Sequence, residues 1–243
     1  MAGTLILLNQ EYLLPITFFK TEKMINLPNL DTPFEYENNF YLSSNVNRMA
    51  KIMAHYDLFK QTIDLPGDIV ECGVFKGASF VRFAAFRELL CNPASKKLIG
   101  FDAFGEFPST NFELDQKPKE IFVNDSGSEG ISIDQLYKIL DHKKVNKNVE
   151  LIKGDVNFTI PEYIKNNPHL RISFLNIDVD VYEATKTCIE KLFDMVVKGG
   201  VIVFDDYASI FPGANKAIED FLKDKNYIPK RFPYCVTPCY IIK

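Results

Sequence analysis

Several features are scarce or absent in this 243-residue chain, and each absence excludes a class of function. The formal net charge is −4, so no basic excess favours nucleic acid or an anionic membrane as a partner. No apolar stretch approaches the ~20 residues of a membrane-spanning helix. The short apolar run at residues 5–8 lacks the basic flank of a signal peptide. We therefore expect a cytoplasmic protein with neither nucleic-acid nor membrane partners.

Cysteines and nucleotide-binding motifs are also limited. The five cysteines are odd in number and widely spaced, which favours reduced thiols over a disulfide framework. No second Cys/His pair accompanies Cys235 and Cys239, so a zinc site is not favoured there. The chain has neither the Gly-x-Gly-x-x-Gly pattern of dinucleotide binders nor the Gly-Lys-Ser/Thr ending of a P-loop. These absences argue against an NAD-dependent oxidoreductase.

Strand and helix patterns alternate from about residue 67 to 225. This alternation predicts an α/β fold with a doubly wound parallel sheet and helices on both faces. Short β-prone segments near 227–229 and 239–242 predict a final edge hairpin, which brings the expected strand count to seven. Residues 1–45 are interpreted as an irregular arm or lid, and residues 46–243 as the α/β domain itself.

Acidic residues follow several of the predicted strands. Asp178 and Asp180 come after one apolar strand, and Asp205 and Asp206 come after another. Carboxylates are costly to place at the end of an apolar strand, so two strands ending alike suggest one shared polar site. In doubly wound sheets, ligands bind beyond the carboxyl ends of the strands. The carboxyl ends of other predicted strands carry Asp102, Asp155 and the turn between Gly73 and Gly77.

The individual signals leave alternatives open. The pattern Glu71-x-Gly73-x-x-x-Gly77 suits close approach to a ligand, but a tight strand–helix turn explains it as well. Asp102 ends the second strand, where a carboxylate can accept hydrogen bonds from a ribose diol. The long polar segment 105–130 is interpreted as a lid over the substrate. His55 is interpreted as a surface or packing residue.

Taken in order, these motifs resemble those of a known family. The chain is similar to the macrocin O-methyltransferases, class I S-adenosylmethionine-dependent and metal-dependent sugar O-methyltransferases, in segments 71–77, 101–108, 176–185, 199–200 and 205–207. The resemblance implies a Rossmann-like sheet whose last strand is antiparallel, and it makes a homo-oligomer plausible. Segment 105–130 and the first 45 residues match poorly, so substrate choice is expected to lie there.

The resemblance also implies roles for single residues. Cofactor binding is implied for Glu71, Gly73 and Gly77 at the methionine part, Asp102 at the ribose and Asp155 near the adenine. By the same analogy, Mg²⁺ (or Mn²⁺) would be bound by Asp178, Asp205 and Asp206, and Asp180 would be the general base. The alternative for Asp180 is a cap of the helix that starts near Tyr182.

The implied chemistry suits these residue types. A sugar hydroxyl is a poor nucleophile, and both a divalent cation and a carboxylate base would activate it. Three carboxylates without His or Cys suit a hard ion. The expected function is methyl transfer to the hydroxyl of a nucleotide-linked or glycoconjugate sugar. The alternative is a catechol-type phenol O-methyltransferase, because a vicinal diol is common to both substrates.

Overall fold

A computed structural model describes residues 25–243, and its centre is one mixed sheet. The described strands are β1 (Asp68–Cys72), β2 (Leu98–Asp102), β3 (Val149–Lys153), β4 (Ile172–Ile177), β5 (Val196–Phe204) and β6 (Cys239–Ile242). They lie in the order β3-β2-β1-β4-β5-β6. The first five are parallel, and β6 runs antiparallel to β5. The prediction of a mostly parallel sheet with an antiparallel C-terminal strand is confirmed.

The predicted count of seven strands is wrong, because residues 25–243 contain six. Segment 227–229 forms no strand, and only Lys230 next to it bridges to β6. The Lys230 and Tyr240 backbones exchange two hydrogen bonds, both of 2.8 Å. Pro229 and Pro233 have no N–H to extend this pairing into a ladder. The expected hairpin is therefore reduced to a single bridge.

Eight α-helices surround the sheet in the described part of the chain. They are α1 (Pro33–Ser43), α2 (Val46–Lys60), α3 (Ala78–Leu90), α4 (Glu113–Ser126), α5 (Ile133–His142), α6 (Val156–Asn166), α7 (Tyr182–Leu192) and α8 (Pro212–Leu222). Ser132 caps α5 and forms a capping box with Gln135. Asp155 is the N-cap of helix α6. Pro161 lies inside α6.

Two hydrophobic clusters cover the two faces of the sheet. Successive strand residues point to opposite faces, so Val70 packs in one cluster and Ile69 in the other. Residues of α6, α7 and α8 join the first cluster, and residues of α2, α3 and α5 join the second. Strand β4 is buried along its whole length, as expected for a strand covered on both faces.

The segment interpreted as an arm and the segment interpreted as a substrate lid both contain helices. Residues 33–43 of the expected arm form α1, which has no buried residue, and the rest of the arm up to residue 24 lies outside the described residues. Segment 105–130 contains α4. The carboxylate of Asp115, fully buried in α4, accepts hydrogen bonds from Tyr182 N at 3.0 Å and Gly213 N at 2.8 Å. These N–H groups lie in the first turns of α7 and α8, where a carboxylate is favourable.

The composition predicted reduced cysteines and no membrane-spanning helix. All five cysteines are free thiols. Among the helices of residues 25–243, none combines the length and apolar character needed to cross a membrane.

Candidate active site

The candidate site lies along the edge where the parallel strands end. Asp178 and Asp205 each come directly after the last residue of a strand. Asp178 N donates to Cys72 O at 2.8 Å, and Asp205 N donates to Ile177 O at 3.0 Å. These bonds extend the sheet ladder by one step and place both side chains at the same level. The order of the strands sets the order of the predicted groups along the edge: Asp155, Asp102, Gly73, Asp178 and Asp205.

A cavity of about 1030 Å³ opens over this edge. Its walls come from α1, α2 and α4, from the N-terminal parts of α3, α6 and α7, and from the loops that follow the strands. Glu71 and Gly77 are the predicted residues that do not line it; the others do: Gly73, Asp102, Asp155, Asp178, Asp180, Asp205 and Asp206. Glu71 is fully buried in β1, where its Oε1 accepts a 3.0 Å hydrogen bond from Asn176 Nδ2. Burial raises the pKa of Glu71 to about 8.

Gly73 is required by a close approach between two loops. Its φ is +91°, and a Cβ atom at this position would stand 1.6 Å from the carbonyl oxygen of Asp178. Gly77, with φ +85°, is the N-cap of α3, and its Cβ would lie 3.2 Å from Leu136 Cδ1. The glycine at position 73 therefore lets the loop after β1 lie directly on the backbone of Asp178.

Asp102 organises that loop. Its Oδ2 accepts hydrogen bonds from Val74 N at 2.8 Å and Phe75 N at 2.9 Å, and its Oδ1 accepts one from Phe104 N at 2.6 Å. Burial raises the pKa of Asp102, although the three N–H groups oppose the rise. A carboxylate has about four acceptor positions, so Asp102 keeps capacity for one more donor.

Three carboxylates converge at the other end of the cavity. One oxygen from each of Asp178, Asp205 and Asp206 lies within 4.8 Å of the others. Asp180 has φ +61°, and its backbone N donates to Asp206 Oδ2 at 2.9 Å. Burial raises the pKa of Asp178, Asp180 and Asp206, and the neighbouring carboxylates add to the rise. The pKa of Asp180 reaches about 8.

Asp180 does not act as the cap that its position in the sequence allowed. The N-cap of α7 is Val181, and the N–H of Tyr182 in the first turn donates to Asp115 rather than to Asp180. The Asp180 side chain instead lines the cavity beside the carboxylate cluster.

Asp205 has two basic partners on α2 that the sequence analysis did not identify. Lys51 Nζ contacts Asp205 Oδ2, and His55 Nε2 lies 3.3 Å from Asp205 Oδ1. Burial disfavours the charged form of Asp205, but the two partners outweigh it and hold its pKa well below the usual range. His55 is fully buried and packs against Phe83, so of the two interpretations, surface or packing residue, the structure fits the second. The spacing of four residues puts Lys51 and His55 on one helix face, yet nothing in the sequence links that face to β5.

The donor set of the cluster fits a hard divalent cation. Asp178, Asp205 and Asp206 offer only carboxylate oxygens, the ligands that Mg²⁺ and Mn²⁺ prefer. The cluster brings three carboxylates together, and Lys51 Nζ contacts one of them, Asp205. Burial and the neighbouring carboxylates raise the pKa of Asp178 and Asp206. A divalent ion would supply positive charge to the cluster.

With this geometry established, comparison with known proteins identifies the family. Residues 44–232 match the family described as macrocin-O-methyltransferase (TylF). The chain belongs to this family. The resemblance seen in the sequence is thereby confirmed, and the match spans every helix of the cavity wall except α1, as well as all five parallel strands.

Named relatives of this macrocin-O-methyltransferase family member are O-methyltransferases. A curated relative from Streptomyces olivaceus, 8-demethyl-8-(2,3-dimethoxy-alpha-L-rhamnosyl)-tetracenomycin-C 4′-O-methyltransferase, is 25% identical over 164 residues. The alignment covers 65% of this chain and 58% of the relative, so the chain spans less than two thirds of that protein's length.

Solved structures of the same kind share the fold. The crystal structure of CalS11, a calicheamicin methyltransferase, has a TM-score of 0.70, 27% identity and coverage of 88% of both chains. The apo form of CalS11, described as a TDP-rhamnose 3′-O-methyltransferase, has a TM-score of 0.63 at 27% identity and covers 86% of this chain and 85% of its own. The O-methyltransferase NovP, at 18% identity and a TM-score of 0.65 over 79% of both chains, shows the fold alone.

Proposed function

We propose that this protein is an S-adenosylmethionine-dependent, divalent-cation-dependent O-methyltransferase that acts on a sugar hydroxyl. The observation that carries the proposal is the single cavity along the strand ends, with a glycine-shaped loop at β1 and a carboxylate cluster at β4 and β5. This arrangement supports a methyl donor and an activated hydroxyl side by side. Homo-oligomer formation stays a prediction from the sequence.

The cofactor end of the cavity comprises the loops after β1, β2 and β3. S-adenosylmethionine supplies a methyl group on a sulfonium when it is bound. Asp102 has acceptor capacity left for a ribose hydroxyl, and the open backbone at Gly73 permits close approach of the methionine part. Asp155 caps α6 through Asn157 N at 2.9 Å and lines the cavity next to Asp102, on the adenine side of the proposed pocket.

The hydroxyl end comprises the acidic residues after β4 and β5. Asp178, Asp205 and Asp206 would hold Mg²⁺ or Mn²⁺, which lowers the pKa of a hydroxyl bound to it. Asp180 would accept the proton of the hydroxyl when that oxygen takes the methyl group, and the carbon–sulfur bond of the sulfonium would break to leave the neutral thioether of S-adenosylhomocysteine. A pKa of about 8 suits a base that works near neutral pH.

An aromatic wall supports a sugar as the acceptor. Phe122 of α4 packs against Phe75 and Phe107, each with ring centroids 5.4 Å away, and against Phe211 at 6.1 Å. All four rings line the cavity. Apolar walls with a few polar groups are typical of small-molecule sites. The sugar specificities in the names of the tetracenomycin and CalS11 enzymes point in the same direction.

A transfer assay tests the proposal. Purified protein with methyl-labelled S-adenosylmethionine should label a nucleotide-linked deoxysugar, lose this activity after EDTA treatment and dialysis, and regain it with Mg²⁺ or Mn²⁺. A catechol in the same panel tests the phenol alternative. Undiminished transfer by thoroughly chelated protein would exclude the metal role, and labelling of catechol without any sugar would favour the alternative.

Arg48 provides a test of a nucleotide carrier. Its exposed side chain lines the cavity and makes no side-chain hydrogen bond within residues 25–243, whereas Lys51, Lys76 and Arg82 each have one. The Arg48 guanidinium could therefore donate hydrogen bonds to the diphosphate of a nucleotide carrier. Arg48→Gln is expected to raise KM for the nucleotide-linked sugar about 10-fold, the effect of one charged hydrogen bond.

The matched control is Lys60→Gln at the far end of α2, outside the cavity. Its KM should stay at the wild-type value. The KM of Arg48→Gln for a neutral glycoside of the same sugar should also be unchanged. Equal rises for charged and neutral acceptors would argue against a nucleotide carrier.

A further inference from the structure

His55 links the carboxylate cluster to a second charged group. Its imidazole is fully buried between Asp205 and Arg82, with Nε2 3.3 Å from Asp205 Oδ1 and Nδ1 2.9 Å from Arg82 Nη1. The ring also packs against Phe83, with centroids 5.0 Å apart. Both nitrogens of the buried ring therefore have a partner, and neither partner is water.

The two partners determine where the imidazole proton lies. A guanidinium has only donors, so Nδ1 must accept from Arg82 and carries no proton. The remaining proton is on Nε2, which donates to Asp205 Oδ1. A second proton on the ring would face the Arg82 charge directly. The contacts thus select the neutral ring with its proton on Nε2.

This geometry gives His55 a function beyond packing. Asp205 lies on a loop after β5, and His55 and Lys51 on α2 contact its two oxygens. Each carboxylate oxygen keeps another lone pair for a cation. We propose that His55, with its proton fixed on Nε2 by Arg82, is a positioning residue that orients Asp205 for divalent-cation binding. The inference rests on the proposed metal role of Asp205.

Arg82 extends this link toward the cofactor side of the sheet. Its guanidinium lines the cavity and lies near enough to Glu71 for its charge to oppose the rise in the pKa of that carboxyl. Glu71 belongs to the glycine motif of β1, and Asp205 belongs to the cluster after β5. Arg82 of α3 thereby fixes the tautomer of His55, and His55 orients Asp205, which follows the strand two positions from β1 in the sheet.

The protonation pattern is tested by ¹⁵N NMR of the wild-type protein. The chain has only three histidines, so replacing exposed His142 and His169 in turn by glutamine assigns the signals. His55 is expected to show a protonated Nε2 and an unprotonated Nδ1, with an Nε2–H slow to exchange. Protonation at Nδ1, alone or together with Nε2, would overturn the proposal. This measurement needs neither metal nor activity.

The positioning role is tested by calorimetric titration with Mn²⁺ alone. His55→Leu is expected to weaken Mn²⁺ binding about 10- to 100-fold, the usual cost of losing a residue that holds a metal ligand. His55→Gln, which keeps an N–H donor, should recover most of that loss, and His142→Gln should bind as the wild type does. A similar thermal midpoint for both His55 variants would separate positioning from folding.

The outcomes distinguish the two proposals. Equal Mn²⁺ affinity of wild-type and His55→Leu protein would overturn the role of His55 and leave the metal site intact. Failure of the wild-type protein to bind Mn²⁺ would refute the metal site itself, and the orientation of Asp205 as a ligand with it.

Discussion

Replacing Asp180 with asparagine is expected to lower kcat for methyl transfer about 10²- to 10⁴-fold, the usual contribution of a general base. Asparagine has nearly the same shape, and the backbone hydrogen bond from residue 180 to Asp206 Oδ2 does not depend on the side chain. What is lost is the ability to accept a proton from the hydroxyl. Steady-state kinetics at saturating cofactor and metal measure the effect.

Asp125→Asn is the matched control, because Asp125 lines the same cavity from α4 but is exposed. It should retain most of the wild-type kcat. Near-normal turnover by Asp180→Asn protein would show that another group takes the proton. Since Asp180 does not cap α7, its replacement should leave the thermal midpoint nearly unchanged.

The pH dependence of kcat in the wild-type enzyme tests whether Asp180 is the base. Burial and the nearby Asp178 raise the pKa of Asp180 to about 8. The base must be deprotonated, so kcat should fall as the pH drops below this pKa and level off above it. A bound cation lowers the pKa of a neighbouring carboxyl, so the plateau is expected to begin below pH 8 when metal is present. The asparagine variant should lack this rise.

Gly73→Ala is expected to destabilise the protein by more than about 4 kcal/mol, which corresponds to a fall of about 8–16 °C in the thermal midpoint. The added Cβ would stand 1.6 Å from the carbonyl oxygen of Asp178, a distance that no side-chain adjustment can relieve. The positive φ of this residue, +91°, adds strain. Thermal unfolding of the purified variant, or its loss from the soluble fraction, measures the effect.

Gly105→Ala is the appropriate comparison. Gly105 lines the same cavity, its φ is outside the positive range, and its added Cβ would meet nothing closer than 3.7 Å. Its thermal midpoint should lie within a few degrees of the wild type. A Gly73→Ala protein as stable as Gly105→Ala would mean that the loop after β1 moves freely away from β4.

The acidic residues of the site were predictable because they follow apolar strands. Once the strands alternate with helices, parallel pairing brings Asp178 and Asp205 to one edge whatever the details of the loops. The glycine motif was recognisable for the same reason, although its contact with Asp178 depends on how two loops pack. Such a backbone contact leaves no mark on the sequence beyond the glycine itself.

The basic residues of the site and helix α4 were not predictable in the same way. Lys51 and His55 precede the sheet in the chain, and only the packing of α2 brings them to Asp205. Helix α4 has a polar sequence with Pro118 inside it, which favours a loop in isolation. Buried Asp115 docks it onto α7 and α8, so tertiary contacts override the local preference.

The docking of Asp115 has a consequence for how the acceptor range of such an enzyme can change. The two N–H groups that bind Asp115 belong to α7 and α8, and the loops that precede these helices carry the carboxylates of the site. The position of α4 is therefore fixed relative to those carboxylates. Phe122, two helical turns further on, lines the cavity without taking part in that anchor. Evolution can therefore exchange residues along this helix to suit a new sugar while the reacting groups keep their alignment.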